Sequence, residues 1–258
     1  MEFEPFGSNP SEVMKGEDMD AFINKIPRFF ESMIYDGGYK EVIKGLGNTF
    51  KIAILGLILG IVIGIVIATV RVMPKYTLIA KIFNGFCEFY VGFFRGTPIV
   101  VQLLVGYFVI LPLIGLGRVS SENVCVVIFG LNSGAYVSEI MRGGINSVDP
   151  GQMEAGRALG FSYPATMIKF VVPQAIKNIL PSLGNEFISL IKETSVISFV
   201  GAADLYVALT KIGQNNYEPM VPYLFMAICY IVIIFIITQL IKLIEKSFSK
   251  SDRKLSKK

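Results

Sequence analysis

The residues able to do chemistry in this chain are few, and what is missing narrows the choice first. There is no histidine in 258 residues, which removes histidine acid–base catalysis and histidine-ligated metal sites. Cys87, Cys125 and Cys229 lie far apart, in or beside apolar stretches. That spacing is neither a zinc site nor a disulfide framework, and it reads as three quiet, buried thiols. No Gly-x-x-x-x-Gly-Lys-Ser/Thr run is present, so the chain has no phosphate loop for ATP. What remains is a set of acids embedded in apolar sequence. Glu186 and Glu193 are seven residues apart, with Ser189 and Leu190 between them, and so share one helical face. Charges at such depth are costly without a partner or water and mark a solute path. Two carboxylates on one face suit an ammonium group. The opposing reading pairs Glu193 with Lys192 or another span and leaves Glu186 at headgroup level.

The elements that carry these acids read as membrane spans. Hydrophobic residues make up 53% of the chain and charged residues only 17%, against about 25% charged in soluble domains. The apolar surplus is gathered in unbroken runs. Residues 52–70 hold no charge and cover nearly the ~30 Å of hydrocarbon. A second run covers 96–117 and starts nearer Glu88; a third covers 123–138 and extends towards Arg142; the last and clearest covers 219–241. Between them lies a weaker span over 183–209, interrupted by Lys192, Glu193 and Asp204. Five spans follow. Gly56, Gly60 and Gly64 fall at four-residue spacing in the first and predict a groove for a neighbouring helix.

Charge sets the orientation. Residues 1–44 hold nine acids and five bases, whereas 242–258 hold seven bases and two acids. The basic tail, the cluster Arg71, Lys75 and Lys81, and a loop at 143–182 with Arg157, Lys169 and Lys177 belong in the cytoplasm. Five spans then place the N-terminus outside and the C-terminus inside, in the cell (cytoplasmic) membrane. Lys40, Lys44 and Lys51 on the outer approach run against that rule. The acidic start lacks the layout of a cleaved signal peptide, and 20–34 predicts an amphipathic surface helix. The basic residues flank apolar runs rather than form a folded basic face, so nucleic acid is not an expected partner. The boundaries expected are an extracytoplasmic or interfacial segment at 1–44, a transmembrane domain at 45–246 and a basic cytoplasmic tail at 247–258.

The loop is the most specific stretch. Asp149-Pro150 opens a short helix with a small-residue face that ends at Gly160; a second starts at Ser162–Pro164 and is expected to end before Pro173. Glu154-Ala155-Gly156, then Gly160, then Phe170-Val171-Val172-Pro173 resembles the EAA loop of membrane-spanning subunits of ABC importers, with Gly for the second Ala and Phe and Val for Ile and Leu. More of the chain resembles one branch, the permeases for polar amino acids. Those stretches are Gly45-Leu46-Gly47-Asn48-Thr49, Phe94-Arg95-Gly96-Thr97-Pro98, Ser138-Glu139-Ile140-Met141-Arg142-Gly143-Gly144 and Leu183-Gly184-Asn185-Glu186.

The resemblance implies an all-α integral membrane protein of the type I ABC importer kind, with about five spans and a cytoplasmic coupling helix. It implies a permease that forms the path by alternating access. Separate ABC ATPase subunits would hold ATP and magnesium, with no cofactor in this chain. The other partners implied are an extracytoplasmic amino-acid-binding protein and a second permease copy, the same chain or a different one. It places ATPase coupling on Glu154, Ala155, Gly160, Ser162 and Lys169, and substrate contact on Glu186, Glu193 and Asn132. Gln102, expected to point from the second run, is a looser addition. A Gly160→Asp change is expected to uncouple by putting bulk and charge into a close helix contact. A stand-alone transporter or channel for polar solutes is the rival reading, and an integral-membrane enzyme is the weakest, for want of a catalytic set.

Overall fold

The first long helix shows why the glycines stand where they do. In the computed structural model, which describes residues 16–215 and 219–255, α2 runs Gly38–Val72 and lies along α6, Ser121–Asn146. A Cβ on Gly60 would sit 2.8 Å from Ser133, and one on Gly64 would sit 2.6 Å from Val137. In the other direction, Leu59 and Ile63 of α2 fill the space over Gly130 and Gly134 of α6. Small residues on both helices therefore let the backbones approach closely, as membrane packing requires in the absence of a hydrophobic drive between spans. The predicted groove is a packing groove. Gly60→Val is expected to cost about 1–3 kcal/mol by overpacking, read as a lower unfolding midpoint in detergent. Gly47→Ala, with nothing within 4 Å of the added carbon, should leave the midpoint unchanged or raise it.

Around this pair the described residues are mostly helical, with no strand among them. An N-terminal helix α1, Gly16–Ile34, precedes α2. Its Phe29 and Met33 are buried against Leu205, Leu209, Ile212 and Val221, with Phe22 and Ile26 alongside. The amphipathic helix expected at 20–34 thus docks on the protein; residues 1–15, which carry much of the acidic excess, lie outside the described residues. After α2 come α3, Leu78–Gly96, α4, Ile99–Val105, a π-turn at Gly106–Ile110 and the single turn α5, Leu111–Leu113. Beyond α6 lie α7, Pro150–Ala158, and α8, Tyr163–Thr166; a second π-turn, Met167–Val171, leads into α9, Val172–Glu193. A 3-10 segment, Thr194–Val200, precedes α10, Leu205–Asn215, and α11, Met220–Leu255, ends the fold.

Among the described residues, three helices are long and apolar enough to cross a membrane, Gly38–Val72, Ser121–Asn146 and Met220–Ser247. Two bent pairs pass the same test together, Leu78–Gly96 with Ile99–Leu113 at 105°, and Tyr163–Val200 with Leu205–Gln214 at 55°, which makes up to five spans if each pair is one. The five apolar runs are all found, but two are not straight. The run expected at 96–117 is the second half of a hairpin-like break. Pro98 forces Thr97 into the extended region (φ −122°) and ends α3 there.

The second break is clamped from α2. Asn48 Nδ2 donates to the Ala203 carbonyl at 2.9 Å, and Thr49 Oγ1 accepts from Leu205 N at 3.3 Å. Gly45 leaves room for the Asp204 carbonyl. The Gly45-to-Thr49 motif is thus a grip on a bent span. Asp204 is fully buried and caps α10 by accepting from Val207 N at 2.9 Å.

Pro173 does not end its helix, contrary to expectation. Proline lacks an N–H and clashes with the carbonyl four residues back. The π-turn at Met167–Val171 shifts the hydrogen-bond register just before it, and α8 and α9 form one continuous rod.

Candidate functional site

A broken helix inside a membrane leaves carbonyls that lipid cannot satisfy, and two of the predicted site residues answer them. Gln102 Nε2 donates to Phe94 O at 2.8 Å, Thr97 O at 2.9 Å and Thr97 Oγ1 at 2.9 Å. Asn132, from α6, donates to Gln102 Oε1 at 2.9 Å and to Phe94 O at 3.3 Å. Both amides are buried, at 7% and 4% exposure. Gln102 and Asn132 are therefore joined to each other, and their donors are committed to holding the bend. Tyr90 adds a third tie, its hydroxyl donating to Leu131 O at 2.5 Å.

The two acids stand elsewhere. Glu186 lies midway along α9 and accepts from Ser133 Oγ of α6 at 2.8 Å. Ser133 is the residue after Asn132, so the two site elements meet neighbouring positions on α6. Glu193 is the last residue of α9, two turns on from Glu186 and beside the exposed Lys192. Both acids are half-buried. Their helix is thus shown, and their common face follows from the i, i+7 spacing.

A cluster of ions lies further along α6. Glu139 holds Arg71 of α2 in a close pair, Arg142 one turn on at 2.7 Å, and reaches Arg95 of α3 at 4.0 Å. The i, i+3 pairing of Glu139 with Arg142 was legible in their spacing; the convergence of three helices on one carboxylate was not. Arg95 also lies over the Tyr136 ring, 5.3 Å from its centroid.

At the end of α6 opposite Ser121 stands a helical hairpin. Asp149 caps α7, accepting from Gly151 N at 2.8 Å, and Pro150 takes the first helical position, where a missing N–H costs nothing. A Cβ on Gly156 would drive into Thr166 of α8, so this glycine is the close contact between the two short helices. Gly160 is not. Nothing lies within 4 Å of a Cβ there, so the steric reason given for Gly160→Asp fails. The glycine is needed for its backbone, at φ +86°, a left-handed turn that costs most side chains about 1–2 kcal/mol. Met153 of α7 and Met167 of the π-turn pack on Val148, Val171, Ala175 and Ile179 at the base of α9. Gln174 Nε2 donates across to Gln152 Oε1 at 3.0 Å.

Of the residues assigned to coupling, Glu154, Ala155, Ser162 and Lys169 are exposed on this hairpin. Lys169 lies over the Phe161 ring at 5.3 Å. Two exposed apolar residues escaped the sequence reading, Leu159 at 75% and Ile168 at 68%. Both sit on the hairpin.

The family described as "Binding-protein-dependent transport system inner membrane component" matches residues 60–250. A Rickettsia bellii protein whose name assigns it to glutamine transport, GlnP, is 39% identical over 205 residues, 80% of this chain and 91% of its own. The arginine transport system permease protein ArtQ of Bacillus subtilis is 36% identical over 211 residues, 82% of this chain and 94% of its own. Among solved structures, a chain of an amino acid ABC transporter with histidines superposes with a TM-score of 0.76 at 36% identity, covering 85% of this chain and 98% of that one. The MetNI methionine ABC transporter, at 18% identity and a TM-score of 0.70, covers 84% of this chain and 98% of its own, and shares the fold.

Proposed function

The chain belongs to the family of inner-membrane components of binding-protein-dependent transport systems and is an amino-acid ABC importer permease; on that premise we propose how its residues divide the work. Glu186 and Glu193 meet the ammonium of a polar amino acid on one face of α9. Gln102 and Asn132 keep the broken helix open beside that face by answering its carbonyls. Two permease copies, identical or different, enclose the path. The N-terminus lies outside and the basic C-terminal end inside.

ATP and magnesium sit on separate ATPase subunits, and an extracytoplasmic binding protein delivers the amino acid. The observation that carries this reading is the hairpin α7–α8. It is rigidly fastened to α9, the helix that holds both acids, while presenting Leu159, Ile168 and Glu154 outward. Closure of an ATPase pair beneath it then tilts the acid-bearing helix directly, biasing one state of the path. Two acids exceed what a single α-ammonium needs, so a substrate with a second cationic group, arginine, leads over glutamine and cystine.

The test is purification from the membrane in mild detergent followed by reconstitution with the binding protein. An ATPase should co-purify, and its hydrolysis should rise with arginine in the presence of the binding protein. A permease that takes up amino acids with no ATPase attached would overturn the assignment of coupling to this loop.

A further inference from the structure

Three guanidinium groups converge on a single carboxylate, and the three are not equally served. Glu139 gives one oxygen to Arg71 and the other to Arg142, the latter at 2.7 Å. Arg95 reaches that second oxygen only at 4.0 Å, beyond hydrogen-bond distance. Its remaining contact is the face of Tyr136. The next acid along α3, Glu88, is already engaged by Asn84 at 2.7 Å and by Lys75 at 3.9 Å. The cluster thus holds a surplus of positive charge, and the Arg142 Nε is buried without a partner. The Arg95 side chain is 44% exposed.

Depth makes that exposure significant. Arg95 lies level with Tyr136 and Glu139, three to six residues beyond the middle of α6, about 4–9 Å along the axis. The hydrocarbon half-thickness is about 15 Å. An arginine whose free edge met lipid chains at that level would be costly. Its fork of donors matches a carboxylate in geometry as well as charge. Tyr136 and Asn132 share one stripe of α6, one turn apart, and the Ser133 that holds Glu186 is the neighbouring position. Glu186 of α9 and Arg95 of α3 therefore meet α6 three to six residues apart, about 5–9 Å in axial rise. The ammonium and carboxylate of an amino acid share one carbon and stand about 3 Å apart, so with a hydrogen bond of about 2.8 Å at each end they bridge about 8–9 Å.

We propose that Arg95 receives the carboxylate of the transported amino acid, so that the path reads both charges common to every amino acid. This rests on the amino-acid reading of the α9 acids and adds the opposite pole to it. Arg71 and Glu139 are the positioning residues: the Glu139 carboxylate, saturated by two other arginines, orients Arg95 without neutralising it.

The test is equilibrium binding to the purified permease–ATPase complex, using arginine and its carboxyl amide, argininamide. Wild type should bind arginine about ten- to a hundredfold more tightly than the amide, the worth of one charged hydrogen bond. Arg95→Gln should weaken arginine binding by that factor and leave argininamide unmoved, so the preference disappears. Arg95→Lys should retain part of it. An arginine that merely suits the end of the α3 dipole would leave the acid-to-amide ratio at its wild-type value in both variants, and that result overturns the proposal.

A second arm compares phosphatidylcholine with phosphatidylglycerol nanodiscs. If phosphatidylglycerol raises the wild-type unfolding midpoint and Arg95→Gln abolishes that rise while the acid-to-amide ratio stays fixed, Arg95 holds a lipid phosphate, and the proposal is again overturned. If wild type binds none of arginine, glutamine or cystine, the amino-acid reading itself fails. Wild-type binding with an unchanged Arg95→Gln ratio removes only Arg95.

Discussion

Glu186→Gln is expected to weaken arginine binding by the permease–ATPase complex about ten- to a hundredfold. The substitution keeps shape and hydrogen-bonding atoms, and Ser133 Oγ, now 2.8 Å from the carboxylate, can still donate to the amide oxygen. What is lost is the charge facing a substrate ammonium, and a charged hydrogen bond is worth about 1.5–3 kcal/mol. The measurement is equilibrium binding in detergent, with the unfolding midpoint taken on the same samples. Glu193→Gln should behave alike if both acids line one face of the path. The structural alternative for Glu193, a pair with Lys192 or another span, gives a different pattern. Removing one partner of an ion pair in a low-dielectric setting leaves the other uncompensated, so the midpoint would fall together with binding. A stable Glu186→Gln complex with unchanged affinity would remove the α9 acids from the path and leave the family assignment untouched.

Gly156→Val should abolish most coupled uptake while sparing the membrane core. The added side chain drives into Thr166, which is fully buried between α7 and α8. Overpacking of this size costs about 1–3 kcal/mol, enough to shift the docked hairpin to an undocked one in most molecules. Because α8 is continuous with α9 through the π-turn, an undocked α7 no longer transmits ATPase closure to the acids. The expected result is basal ATP hydrolysis that amino acid and binding protein no longer stimulate, and uptake reduced at least tenfold. Thermal unfolding of the α2–α6 core should change little, since the hairpin contributes nothing to that interface. Full stimulation in Gly156→Val would show that the Gly156–Thr166 contact has no part in coupling.

Much of this protein was legible before its fold was known. Composition and run length determine a membrane protein of about five apolar segments, because hydrocarbon admits only backbone whose polar groups are satisfied internally. Four-residue glycine spacing determines a close helix contact, since i, i+4 positions share one face whatever the partner. The spacing of Glu154, Gly160 and Pro173 marks the coupling hairpin, and Asp149-Pro150 marks where its first helix begins. These are local or periodic facts, and periodicity survives folding.

The partners were another matter. That Gly60 faces Ser133, and Gly156 rather than Gly160 touches Thr166, depends on which helices lie side by side. Asn132 was assigned to substrate contact by the family resemblance, and Gln102 was added from its place in the second run. The fold gives their amide donors to the Phe94 and Thr97 carbonyls, because Pro98 breaks a helix where no water can answer the exposed backbone. Pro173, a helix end by local rule, is absorbed by a π-turn whose register only the packed rod defines. The single carboxylate of Glu139 gathers arginines from 68 and 3 residues away, together with Arg95 of a third helix. Sequence determined which groups are charged and how deep they lie. Only the tertiary structure decided which charges are matched, because electrostatic pairing falls off with distance in space and takes no account of distance along the chain.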